Sequence, residues 1–249
     1  MGELGSPWAL VAALVVGGLI GTVGIGGVLL APALIVVDGL GPHVAIATAL
    51  WSFLFAGIAG TVVYARRGSL DRRAAMILMV TVVPGTVGGA LLGASLPGSY
   101  LVVGLAALVL ASGCYTLVPT TRADRATRSL GRSDLLPTGA VVGFGSALFG
   151  SSGPIFLVPI LLVRGVPALL AVGISQVIQL PIVLSATAAF AATGDVNFPL
   201  GLALGVPLVV GVVAGARIAH AVRPGVLRQV VASALVGAGL LMGVRALVG

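Results

Sequence analysis

The sequence predicts an all-α, polytopic transmembrane helical bundle built from two homologous repeats, and three observations point there. Of 249 residues only 8% are charged and 59% are hydrophobic, whereas a soluble domain carries about 25% charge to cover its surface. The apolar residues run in nearly continuous blocks, at 101–118, 196–216 and 226–244, rather than in amphipathic stripes. Glycine and proline recur in the same order in the two halves of the chain.

The blocks set the class. A bilayer core takes about 20 apolar residues per helix. Because no water reaches it, every backbone group must bond internally, which a helix achieves by itself. A transmembrane barrel would need alternating strands of about 10 residues, and the sequence has none. The net charge of +7 comes from 13 arginines, without a lysine. These arginines sit between the apolar blocks, where they orient a multi-pass protein in the cytoplasmic membrane rather than bind nucleic acid. No basic stretch precedes Trp8, so no cleaved leader is expected. The one cysteine, Cys114, lies inside a block and excludes a disulfide framework.

The repeat is read from punctuation. Gly17 and Gly21 match Gly139 and Gly143; Pro32 matches Pro159, Pro42 matches Pro167 and Gly68 matches Gly194. Pro84 and Gly88 match Pro207 and Gly211, and Pro97-Gly98 matches Pro224-Gly225. Shared order along a whole unit marks a duplication. We therefore divide the chain into a first membrane repeat (1–118), an arginine-rich cytoplasmic connector (119–134) and a second membrane repeat (135–249).

Each repeat opens with a long interrupted stretch, 8–37 or 135–163, followed by three cleaner spans. Those spans are expected at 43–64, 74–96 and 100–118, then at 167–192, 198–219 and 226–247. Gly24-Ile25-Gly26-Gly27 breaks the first stretch and Gly150-Ser151-Ser152-Gly153-Pro154 the second, because clustered glycine disfavours helix and proline removes a donor. Each broken stretch is either one long interrupted crossing or a re-entrant hairpin. Eight full crossings would put Arg164, Arg217, Arg223 and Arg228 opposite Arg66, Arg67, Arg72 and Arg73. Six crossings with two hairpins invert the repeats and bring all of these to one side, leaving only Arg245 outside. The clustering of basic residues on cytoplasmic faces favours the inverted arrangement.

The breaks are also the candidate substrate site. Half-helices starting after Gly27 and after Gly153 would aim free N–H groups and a partial positive charge into the breaks, which suits a small anion. Thr22, Gly24, Gly26, Gly27, Ser151, Ser152 and Gly153 form the candidate set, with Ser146 adding a hydroxyl nearby. The plain alternative is that these glycines only let helices pack closely. In the spans, Ser175, Gln176 and Gln179 are the most polar cluster, and an amide in a bilayer needs a polar partner or a wet cavity. Trp51 occupies the corresponding stretch of the first half, as cavity wall or as packing. The spacings Gly89/Gly93, Gly201/Gly205 and Gly211/Gly215 read as helix-packing contacts.

Other chemistries are excluded by what is missing. All six acidic residues (Glu3, Asp38, Asp71, Asp124, Asp134, Asp195) fall at ends or loops, and His43 and His220 lie near span ends. The chain offers no nucleophile–base pair within a span, no metal-ligand cluster and, without lysine, no phosphate-binding loop. No enzyme, cofactor or metal is expected.

With these features in place, the chain resembles the TauE/SafE family of sulfite-exporter-like permeases. The resemblance rests on residues 21–32, from Gly21-Thr22 through Gly26-Gly27 to Pro32, and on their counterpart from Gly143 through Ser151-Ser152-Gly153-Pro154 to Pro159. The Pro-then-Gly segments at 84–93 and 207–215 extend it over the whole chain. It implies a two-repeat permease for small anions, often sulfur oxyanions or organosulfonates, in the bacterial cytoplasmic membrane. Where the family tends to carry three successive glycines, this chain has Val28 after Gly26-Gly27, and serines in the second break. The expected partners are thus a small anionic substrate and the lipid bilayer, with a homo-oligomer left open. A non-transporting membrane scaffold is the rival reading.

Overall fold

The computed structural model describes residues 6–24, 26–117, 131–164 and 166–219, with Val236 and Leu240 beyond them. Its elements are helical: α1 (Pro7–Val23), a 3-10 turn (Gly26–Leu29), α2 (Leu30–Val37), α3 (Pro42–Arg66), α4 (Arg72–Ser95), α5 (Gly98–Leu117), α6 (Arg132–Leu148), α7 (Pro154–Val163), α8 (Ala168–Ala192) and α9 (Phe198–Ala219). Among the described residues, four helices are long and apolar enough to cross a membrane: Pro42–Arg66, Arg72–Ser95, Leu169–Ala192 and Phe198–Ala219. At 1.5 Å per residue, the 25 residues of α3 span about 37 Å, more than a hydrocarbon core of about 30 Å. The span expected at 226–247, and Arg223, Arg228 and Arg245 with it, lies outside the described residues.

Local chemistry sets the ends. Ser6 caps α1, its Oγ accepting from the Ala9 N–H at 3.2 Å, and Pro7 occupies the first turn where no donor is needed. Asp71 caps α4 through the Ala74 N–H at 3.0 Å. α6 begins at Arg132, inside the connector expected over 119–134. The turn after α1 becomes 3-10 at Gly26 and passes into α2 at Leu30, so the half-helix expected to open after Gly27 starts one residue before it.

Both broken stretches double back. At the first, the Ser6 N–H donates to Asp38 Oδ1 at 3.3 Å, which brings the start of α1 beside the end of α2. At the second, Arg164 Nη1 donates to the Asp134 carbonyl at 3.0 Å and to Thr138 Oγ1 at 3.1 Å, joining the end of α7 to the start of α6. Each stretch is therefore a helical hairpin, one arm long and one short, with its tip at the glycine-rich break. The ten residues of α7 reach only about 15 Å, half a membrane.

The long helices pack through small residues. Added Cβ atoms on Gly17 and Gly21 of α1 would overlap the Leu208 and Val212 carbonyl oxygens of α9, and on Gly85 and Gly89 of α4 those of Ala140 and Phe144 of α6. The advancing numbers on both sides mean that α1 runs parallel to α9, and α4 to α6. Trp51 of α3 meets Gly201 of α9, Phe55 meets Gly205, and Arg67 Nη1 donates to the Ala216 carbonyl at 3.2 Å, so α3 and α9 are parallel too. In contrast, Gly57 faces Gln179, Gly60 faces Gln176 and Tyr64 faces Gly173; α3 and α8 are antiparallel. Following these directions, Arg66, Arg67, Arg72, Arg73, Arg132, Arg164 and Arg217 come to one end of the bundle, while Asp38 and Asp195 come to the other.

Large aliphatic side chains face outward, as with Met76, Val80 and Leu91 of α4 and Leu202, Val206 and Val210 of α9, each more than half exposed. This suits a lipid solvent, in which helices associate through close backbone approach rather than hydrophobic burial. A matched pair of variants tests it. Gly85→Leu, set against the Ala140 backbone, should lower stability by about 1–3 kcal/mol. Gly88→Leu, whose added Cβ would have its nearest neighbour, Phe144, at 3.7 Å, should leave it nearly unchanged. Thermal melting in detergent reads both; equal effects would disprove the assigned contact.

Candidate functional site

The two hairpin tips meet each other. A Cβ on Gly27 would overlap Ser152 Oγ, and one on Gly24 would lie 3.3 Å from Pro154 and 3.3 Å from Val158. Gly24 holds φ of 81° and Gly153 φ of 92°, left-handed conformations that side-chain-bearing residues rarely adopt. Gly24 closes α1, its N–H bonding the Ile20 carbonyl at 3.0 Å, and Gly153 starts α7 with Pro154 in the first turn. Gly26 folds the 3-10 turn back onto Leu19 and Val16 of α1. The glycines thus let one backbone break approach the other with no side chain between them.

Helix α8 passes both tips. Val172 stands 3.6 Å from a Cβ on Gly24, and Ile182 stands 2.7 Å from one on Gly153. Between them lie Gln176 and Gln179, three residues apart on one face and fully buried. Gln176 Nε2 donates to the Ile20 carbonyl in the last turn of α1 at 3.4 Å, and Gln179 Nε2 to the Phe53 carbonyl of α3 at 2.8 Å. These bonds fix each amide's orientation, since only the nitrogen can donate to a carbonyl. Both Oε1 atoms are left buried without a partner, as are Ser146 Oγ and Ser151 Oγ. A buried polar atom left unpaired costs about 1–3 kcal/mol. Four such atoms, two at the second tip and two at the adjoining α3–α8 contact, are not a device for stability.

The other candidates fall into two groups. Ser152 stands against Gly27 at the crossing. Thr22 and Ser175 also lie beside it, but their hydroxyls donate to carbonyls of their own helices, Thr22 to Gly18 at 2.9 Å and Ser175 to Val172 at 2.7 Å. Trp51 lies elsewhere: its Nε1 donates to the Phe198 carbonyl at 3.2 Å, and its ring packs edge-on against Phe55 and Phe198, at 5.6 and 5.4 Å between centroids. Three site residues escape a reading of the sequence. Tyr64 is fully buried and its hydroxyl donates to the Gly21 carbonyl at 3.0 Å, although a tyrosine at a span end reads as interfacial. Gly57 and Gly60 seat the two glutamines, since a Cβ on Gly60 would overlap Gln176 Oε1.

A helical bundle with aliphatic side chains outside, small residues within and two helix breaks meeting at buried polar groups defines a multi-pass membrane transport protein. The chain belongs to the Sulfite exporter TauE/SafE family, whose model matches residues 9–242; this is a family of transporters, not enzymes. It is also similar to the "Probable membrane transporter protein ORF9" of Sinorhizobium sp, at 27% identity over 217 residues, 85% of this chain and 82% of that protein. No solved structure matches it.

The Tyr64 contact yields a direct test. Tyr64→Phe keeps the ring and removes the bond to the Gly21 carbonyl, so it should destabilise the protein by about 1 kcal/mol, seen as a lower melting temperature in detergent. An unchanged melting temperature would show that α1 ends without this support.

Proposed function

We propose that the chain is a secondary transporter or facilitator of small anions, sulfur oxyanions or organosulfonates, across the cytoplasmic membrane, and that the substrate passes the crossing of the two hairpin tips. The observation that carries this reading is a set of buried, unpartnered polar atoms: Ser146 Oγ and Ser151 Oγ at the second tip, and Gln176 Oε1 and Gln179 Oε1 at the adjoining contact of α8 with α3. Serine hydroxyls donate to an oxyanion, and the positive end of α7 points into the same crossing. The amide oxygens accept a proton-bearing oxygen of an acid anion, or water that accompanies it. Among the described residues the one carboxylate with a buried, unpartnered oxygen is Asp38, at the opposite end of the bundle from the arginines and not among the contacts of the crossing, so the reading includes no proton relay. A scaffold has no use for unpaired polar atoms at a helix break, which places that rival second.

The proposed arrangement has two inverted repeats with re-entrant hairpins. Its support is the antiparallel course of α3 and α8, which hold equivalent places in the two halves, together with the parallel pairs α1 with α9 and α6 with α4. The described arginines at one end support placing that end in the cytoplasm.

Uptake into liposomes of a panel containing sulfite, thiosulfate, sulfoacetate and acetate tests the function. Saturable flux of one class is expected. Ser146→Ala with Ser151→Ala should reduce it about tenfold, and Gly27→Leu should abolish it while the protein still inserts. Absence of flux for every anion, with or without a pH gradient or potential, would transfer the weight to the scaffold. For topology, single cysteines replacing Arg72 and Thr193, with Cys114 changed to serine, should react from opposite faces of the membrane. Labelling from the same face would sink the inverted arrangement.

A further inference from the structure

Away from the crossing, α3 and α9 leave a groove of about 600 Å³ between them. Its walls are apolar: Phe55, Ile58 and Val62 of α3 face Val209 and Val213 of α9, and Ile58 and Val62 are 49% and 43% exposed. Only one end is charged, where Arg66, Arg67 and Arg217 line it together. Arg67 is held there by its bond to the Ala216 carbonyl, which uses one of the five N–H donors of its guanidinium. Among the described residues no carboxylate pairs with any of the three.

We infer that this groove binds an anionic phospholipid of the leaflet on the arginine side, with its phosphate on Arg66, Arg67 and Arg217 and one acyl chain along the apolar walls. Length, polarity and charge agree on this occupant. From Phe55 to Arg66 the helix axis rises about 16 Å, close to half of a hydrocarbon core of about 30 Å, which is the depth of a single leaflet. The apolar walls match an acyl chain, and three guanidinium groups at the headgroup level match a phosphate bearing net negative charge. The segment that follows α9 does not supply that charge. Residues 220–249 contain Arg223, Arg228 and Arg245 and no acidic residue.

The occupant is distinguishable from its rivals by native mass spectrometry of the full chain released from micelles containing equal phosphatidylglycerol and phosphatidylethanolamine. The wild type should retain phosphatidylglycerol preferentially. Arg66→Gln with Arg217→Gln should weaken that retention more than tenfold, at roughly fivefold per arginine, and the matching lysine pair should restore most of it. Val213→Phe, which fills the groove without altering charge, should also lower retention. Equal retention of both lipids, or retention unaffected by the glutamine pair, overturns the inference. So does loss with the glutamine pair but not with Val213→Phe, because the phosphate would then bind without a chain in the groove. A disulfide formed readily between cysteines at Ile58 and Val236 overturns it too, by placing the chain's own residues there. Size-exclusion profiles and melting temperatures matching the wild type identify which variants are folded, and the lysine pair keeps the test open if the glutamine pair is not.

Discussion

A backbone that leaves the helix inside a membrane has to satisfy its own polar groups, and the rest of this structure follows from how two such departures do so together. The α1 break ends on Gly24, whose N–H returns to α1, while the Ile20 and Gly21 carbonyls of that last turn receive Gln176 and Tyr64. At the second break, the Ser151 N–H returns to the Ser146 carbonyl at 2.9 Å. Each break therefore depends on its neighbours: the first is supported by α3 and α8, the second abuts the first. Irregular backbone at membrane depth persists only where protein encloses it.

That dependence explains the distribution of small residues. The hairpin arms α1 and α6 lie along α9 and α4 with glycine at successive contacts, which brings the backbones close enough to hold the tips in place. Gly57 and Gly60 play a different part, since they make room on α3 for two glutamine side chains rather than for a helix. Replacing small residues by larger ones in the first group separates helices; in the second it displaces the polar groups of the site. Glycines that look alike in the sequence thus divide between helix packing and the proposed site according to which neighbour they face.

The same geometry gives the bundle two different faces. Inside, polar atoms without partners lie at the second tip and at the adjoining α3–α8 contact, and in the proposed function these are the groups a small anion exchanges for its water. Outside, the α3–α9 groove is apolar with a charged end, which is the polarity of a lipid rather than of a soluble anion. α3 borders both, presenting Gly57 and Gly60 to α8 and Ile58 and Val62 to the groove. The groove is accordingly distinct from the proposed substrate site, whose residues are closed over by the two tips.

The sequence by itself determined the membrane class, the four long apolar spans among the described residues and the places where helix must break, because hydrophobic length, glycine and proline act locally and need no knowledge of neighbours. Ser151, Gln176 and Gln179 could be singled out on the same basis, as polar groups where apolar ones are expected. Other features required contacts between distant parts of the chain. Whether a broken stretch crosses or doubles back depends on Ser6 meeting Asp38 and on Arg164 meeting Asp134 and Thr138, pairs that no local pattern reveals. Trp51 turned to α9 and Tyr64 to the end of α1 because helix rotation is set by packing around the whole circumference, and only the tertiary structure decides which face a residue in an apolar helix presents to which partner.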